Sequence, residues 1–95
     1  MNLNKGDFIF SPLSKSPSLI LKEDKDKKKY LIAIDEYGGD YAWVNKYRCN
    51  YINLEPEYEL SILSKYEYWF YNDHKDIFQK IIIKNLNYYF KPLEI

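Results

Sequence analysis

Asp35–Val44 reads DEYGGDYAWV, and its adjacent glycines, Gly38 and Gly39, are two of only three in the chain. Glycine accepts a positive φ without steric cost, so a Gly pair between extended segments marks a tight reversal of direction. On either side lie YLIAI (Tyr30–Ile34) and YAWV (Tyr41–Val44), both β-branched or aromatic. The stretch therefore predicts an antiparallel hairpin, with Trp43, inside an alternating strand, expected in the core.

Outward from the hairpin, DFIF (Asp7–Phe10), SLILK (Ser18–Lys22) and YINL (Tyr51–Leu54) have the same character and are separated by Pro, Ser or charge. Five short strands in about fifty residues predict a small, strongly bent barrel over residues 7–54. EDKDKKK (Glu23–Lys29) has no apolar residue to bury and is expected as a solvated hairpin tip. After Pro56 the spacing turns helical. Ser64 followed by Glu67 fits a capping box, and Asp73 and Asp76 put acids where the dipole of a last helix, near residues 74–90, favours them. Ile77, Phe78, Ile81, Ile82, Leu86, Tyr89 and Phe90 recur at three- and four-residue steps, a stripe expected to pack on the barrel before Pro92 ends the helix. The expected class is α+β: a five-stranded antiparallel β-barrel followed by C-terminal α-helices over about residues 56–90.

A chain of 95 residues supports one domain with one core. Its start on a folded-looking segment and its stop soon after a helix read as a monomeric domain cut from something longer. Eleven tyrosines stand out, but Lys, Asn, Ile and Tyr together are what an AT-rich genome yields, so the tyrosines alone define no function. Basic and acidic side chains balance at fourteen each, which removes any overall basic signal for nucleic acid. The distribution is uneven: residues 1–34 carry a net +3, residues 35–76 a net −5 and residues 77–95 a net +2.

Cys49 and His74 are the only residues of their kinds, which excludes an internal disulfide and a Cys/His zinc cluster built by this chain alone. The longest apolar run, Ile81-Ile82-Ile83, is flanked by Lys80 and Lys84, so no membrane span is expected. Catalysis is not expected either. His74, between Asp73 and Lys75, reads as a solvated side chain or cap. Cys49 has Arg48 beside it to lower its pKa but no second histidine to pair with, and YGGD lacks the lysine and spacing of a phosphate loop. No cofactor or metal is implied. Asp35, Glu36 and Asp40 read as solvated hairpin acids.

KGDFIF (Lys5–Phe10), SPSLIL (Ser16–Leu21), YLIAIDEYGGDYAWV and the later amphipathic helix, taken in order, resemble a PWWP domain of the Royal, Tudor-like superfamily, over roughly residues 5–90. The family opens with Gly-Asp and apolar residues, here Gly6, Asp7 and Phe10. Its name-giving tetrapeptide falls at Pro17, Ser18, Leu19 and Ile20, and its aromatic-x-Trp-Val strand at Tyr41–Val44. The resemblance implies an SH3-like barrel, a nuclear, chromatin-associated module, and a pocket that reads methyl-lysine on histone tails while adjacent Lys and Arg touch nucleosomal DNA.

In such a pocket aromatic faces hold a methylated ammonium by cation–π attraction. The positions that the resemblance assigns to its walls are Ser16, Leu19 and Asp35, none of them aromatic. Either the register is off by a residue or two, so that Tyr37 or Tyr41 at the rim and Phe10 on the first strand supply walls, or the cage is lost and the fold serves another contact. Gly38 and Gly39 would shape the rim of that pocket. Lys80, Lys84 and Lys91 lie on roughly one helix face, and with Lys15 on the arch between the first two strands they are candidates for weak, sequence-independent phosphate contacts.

Two other functions compete. One is a protein-interaction or packing domain with no nucleic-acid role, which the neutral charge favours. The other is an SH3-like toxin nuclease, which shares the KGD opening but lacks catalytic groups.

Overall fold

The structure, a computed structural model, describes residues 3–89. Five strands, β1 (Phe8–Phe10), β2 (Ser18–Glu23), β3 (Lys29–Ala33), β4 (Tyr41–Asn45) and β5 (Asn50–Tyr51), precede three helices, α1 (Pro56–Ser64), α2 (Tyr68–Asp73) and α3 (Lys75–Tyr89). All pairings are antiparallel in the order β4-β3-β2-β1-β5. The α+β class and the change to helix at Pro56 follow the sequence reading, with Pro56 at the first helical positions, where its missing N–H costs nothing.

The five antiparallel strands form one sheet that is not closed among the described residues. β4 and β5 are its two edges, joined in sequence by one 3-10 turn at Lys46–Arg48, and no ladder runs between them. β5 is two residues long and pairs only with β1, which leaves too little strand to close the circle.

The sheet bends at β2. Its register against β3 slips between Ile20 and Lys22, a bulge that bends the strand, and Ser18 through Leu21 are buried in succession. Alternate side chains thus enter two cores. Ile9, Ile20, Tyr30, Ile32, Val44 and Cys49 pack on the inner face of the bend. On the other face Phe8, Leu19, Leu21 and Ala33 meet Leu63 of α1, Phe70 of α2 and Ile77, Phe78 and Ile81 of α3. The charged tip between β2 and β3 is held by Asp24, whose Oδ1 accepts the backbone N–H groups of Lys28 at 2.7 Å and Lys29 at 3.2 Å.

Three local expectations are corrected. Trp43 is 45% exposed. It lies opposite Leu31 with the Lys22 ammonium 5.6 Å from its ring centroid, because alternation sends Val44 into the inner core and leaves Trp43 on the other face of an edge strand. Ser64 ends α1, donating its hydroxyl to the Ser61 carbonyl at 2.7 Å, and Glu67 is the residue that precedes α2, so no capping box forms. On α3, Ile77, Phe78 and Ile81 are buried as expected, but the next buried side chain is Asn85, while Ile82 and Leu86 are exposed. Glu59 of α1 is buried at that level and bonds Asn85, which turns a polar face inward. Phe90 and the side chain of Tyr89 lie outside the described residues.

Candidate functional site

The loop of the quoted stretch is longer than a two-residue turn. The Ile34 N–H donates to the Asp40 carbonyl at 3.0 Å, and within that span the Gly38 N–H donates to the Asp35 carbonyl at 3.0 Å. Only Gly38 of the pair has a positive φ, 75°. It lies on Phe70 of α2, and the Glu67 N–H donates to the Tyr37 carbonyl at 3.1 Å. Gly38 thus lets the loop dock on the start of α2, and this docking assembles the most distinctive surface of the domain.

That surface is an aromatic ledge. Phe70 is wholly buried beneath it, while Tyr41 at the start of β4 and Trp69 of α2 are partly exposed. The rings of Tyr41 and Trp69 stand 6.3 Å apart at 61°, and Tyr41 and His74 also 6.3 Å apart at 88°. His74 lies 4.6 Å from the Phe70 ring centroid. The Trp69 indole N–H donates to Glu67 Oε2 at 2.8 Å, which pins the ring. The run YEYWFY (Tyr66–Tyr71) that builds this surface is not singled out by motif or spacing; its aromatic density is the signal that could have found it.

Charge around the ledge is mixed but acid-rich. Glu67 and Asp73 come from the ends of α2, and Asp35, Glu36 and Asp40 from the docked loop. Partial burial and then Asp73 raise the pKa of the Tyr41 phenol, and a hydrogen bond with Glu36 raises that of Tyr37. His74, expected as a solvated side chain or cap, is the C-cap of α2, its N–H donating to the Phe70 carbonyl at 3.1 Å, and its side chain is half-buried. Its pKa is lowered from the usual 6.5, first by that burial and further by Lys5 and Lys22, against the opposing pull of Asp73 and Asp76.

The pocket positions assigned by resemblance fare differently. Ser16 is exposed in the arch between β1 and β2 and lines a cleft of about 70 Å³ with Pro17, Glu36, Tyr58, Ser61, Ile62, Lys65 and Tyr66. Helix α1 forms much of that cleft's wall. Leu19 is completely buried in the core under the helices. Asp35 is half-buried and accepts the Gly39 N–H at 3.2 Å. Phe10, Tyr37 and Tyr41 are all exposed, yet among the described residues no ring contact joins any two of them, and Tyr41 turns instead to Trp69, Phe70 and His74.

Of the candidate lysines, Lys80 and Lys84 are one turn apart on α3 and each has a partner within the domain. Lys15 is exposed on the arch. Lys80 donates to the Lys5 carbonyl at 2.8 Å, Lys84 pairs with Glu59 at 2.8 Å, and Lys91 lies outside the described residues. Lys5 in turn pairs with Asp76. Cys49 is buried with its thiol directed to the Asn45 carbonyl at 3.6 Å, and burial raises its pKa, so the lowering expected from Arg48 does not occur.

Among the described residues no group of three His, Cys, Asp or Glu side chains is arranged to hold a metal, and no helix is long and apolar enough to cross a membrane. No family model, curated protein or solved structure matches the chain.

Proposed function

We propose that the domain is an interaction module of PWWP-like type, a bent SH3-like barrel left open between β4 and β5, that binds a cationic segment of a partner protein on the Tyr41–Trp69 ledge. The carrying observation is two partly exposed aromatic rings 6.3 Å apart on a buried Phe70 floor, beside Glu67 and Asp73. Aromatic faces and carboxylates together attract ammonium and guanidinium groups, and the net −5 of residues 35–76 favours their approach.

A histone tail is the partner class that the resemblance implies, in a nuclear setting. Methyl selectivity is small in this reading, because the positions aligned with cage walls carry no rings. Duplex DNA is a secondary contact: Lys84 is engaged with Glu59 and Lys80 with a backbone carbonyl, so fewer free cations face phosphate. Titration with nucleosomes and with free duplex DNA at two salt concentrations separates these contacts. Binding to nucleosomes well above that to bare duplex supports the ledge; equal binding to both, with the same salt slope, contradicts it.

A second reading, a packing domain inside a larger assembly, is favoured by an apolar groove of about 350 Å³ between the helices. Leu60, Leu63, Tyr68, Tyr71, Phe78 and Ile82 line it, with Leu60, Tyr68 and Ile82 partly exposed.

A further inference from the structure

A cleft of about 600 Å³ lies away from the ledge, between the β5–α1 connection and the second half of α3. Its walls include Tyr51, Asn53, Leu54, Glu59, Lys84 and Asn85. Two of these are buried polar groups in a small domain, an expensive arrangement unless their hydrogen bonds are completed. The Glu59 side chain is 8% exposed, and it accepts from Lys84 Nζ at 2.8 Å and from Asn85 Nδ2 at 3.1 Å. Asn85 is 2% exposed; its Nδ2 also donates to the Ile81 carbonyl at 2.9 Å. The Asn85 Oδ1 has no partner among the described residues.

The donor and acceptor inventory is therefore lopsided. The buried Asn85 amide leaves its oxygen unused while its nitrogen serves Glu59, and each carboxylate oxygen of Glu59 keeps acceptor capacity beyond its present bond. What is missing is a donor. The Lys84 side chain, 56% exposed, supplies one ammonium to Glu59 and remains free to swing to solvent. An ammonium acts as a point donor, whereas a planar guanidinium presents several N–H groups in a fixed fork that reaches two neighbouring acceptors at once. Leu54, Pro56 and Tyr51 provide apolar surface for the methylene stem, and Glu55 with Glu59 leaves the cleft net negative against Lys84 alone.

The geometry points to this cleft as a binding site for a guanidinium group, that of an arginine, with Lys84 as the resident stand-in that the ligand displaces from Glu59. The two oxygens of the Glu59 carboxylate take the fork, with Asn85 Nδ2 holding Oε2 in place. The site is independent of the Tyr41–Trp69 ledge.

The test is an NMR titration of the full chain with N-acetyl-arginine methylamide, following the Asn85 side-chain amide and the backbone of residues 53–59. Expected are saturable shifts there, affinity at least about tenfold weaker for the citrulline analogue, which keeps the shape but loses the charge, and tighter arginine binding in Lys84→Met. If Lys84→Met loses its fold, Lys84→Gln, which retains a donor for Glu59, replaces it with the same expectation. Trp69→Ala leaves this titration unchanged, which separates failure here from failure of the ledge. Free L-arginine binding as well as the blocked form identifies a free amino acid as ligand; weaker binding identifies an arginine within a chain. Absence of saturable shifts, equal binding of the citrulline analogue, or no gain on removing the Lys84 charge overturns the proposal.

Discussion

Gly38 lies against Phe70 so closely that a Cβ on Gly38 would stand 2.9 Å from Phe70 Cδ2 and 3.1 Å from Cγ. A contact of that length requires the backbone or the ring to move, and φ of 75° adds strain for any other residue. Gly38→Ala is expected to destabilise the domain by about 1–3 kcal/mol. Gly39→Ala, whose added Cβ meets only the movable carboxylate of Asp35, should cost clearly less. Urea unfolding of the two variants compares them, and equal losses would remove the loop-docking account.

Phe70 and Trp43 make a second pair for comparison. Phe70 is wholly buried and touches Tyr41, Tyr66 and Phe78, so Phe70→Ala should cost about 3–5 kcal/mol and unfold much of the population. Trp43→Ala should cost about 1 kcal/mol or less, since it removes a partly exposed ring and its single Lys22 interaction. Circular dichroism of both proteins under one set of conditions decides; an unfolded Trp43→Ala variant would restore that ring to the core.

The strands are legible because their β-branched and aromatic runs are bounded by Gly, Pro, Ser or charge, and four of the five fall within a residue or two of their expected limits. Alternation in YAWV gives two faces without saying which one the rest of the chain covers, so it misplaces Trp43. The α3 stripe holds through Ile81. It then fails at Asn85, because a buried polar pair depends on Glu59, 26 residues earlier, and leaves no mark in hydrophobic spacing. The ledge is half visible: Tyr41 is a candidate wall, whereas Trp69 lies in YEYWFY, where five of six side chains are aromatic and no spacing tells that Phe70 is the buried one.

Stability should fall on mild acidification. The pKa of His74 is lowered in the fold, chiefly by burial, so the unfolded chain binds the proton more readily. The stability tied to neutral His74 is complete above its unfolded value of 6.5 and is lost as pH falls through the lower folded value. Melting at about pH 7.5 and about pH 5 should show a drop that His74→Gln diminishes. Asp76, whose pKa is lowered mainly by its bond to Lys5, adds a separate loss only at more acidic pH, below its ordinary 3.8. An equal drop in wild type and His74→Gln would assign the mild-acid effect to other groups.

Duplex DNA binding should be weak and salt-dependent. Lys84→Glu is a poor probe of it, because a second carboxylate would meet buried Glu59 and disturb the fold. Charge reversal at Lys15 and Lys80 is the cleaner test. It should reduce affinity and flatten the dependence on salt, the slope changing by about one for each phosphate that is no longer neutralised. Unchanged binding would place any DNA contact on other residues.

Calorimetric titration of a lysine-rich histone-tail peptide, unmodified and trimethylated, reads whether Tyr41 and Trp69 receive a cationic segment, as proposed. Both forms should bind saturably and in a salt-sensitive way, with less than about a tenfold preference for the methylated one, and binding should be lost in Trp69→Ala and Tyr41→Ala proteins that remain folded. Binding that survives both substitutions, or a preference above about tenfold that vanishes in Tyr37→Ala or Phe10→Ala, would contradict it and place the pocket at those other rings.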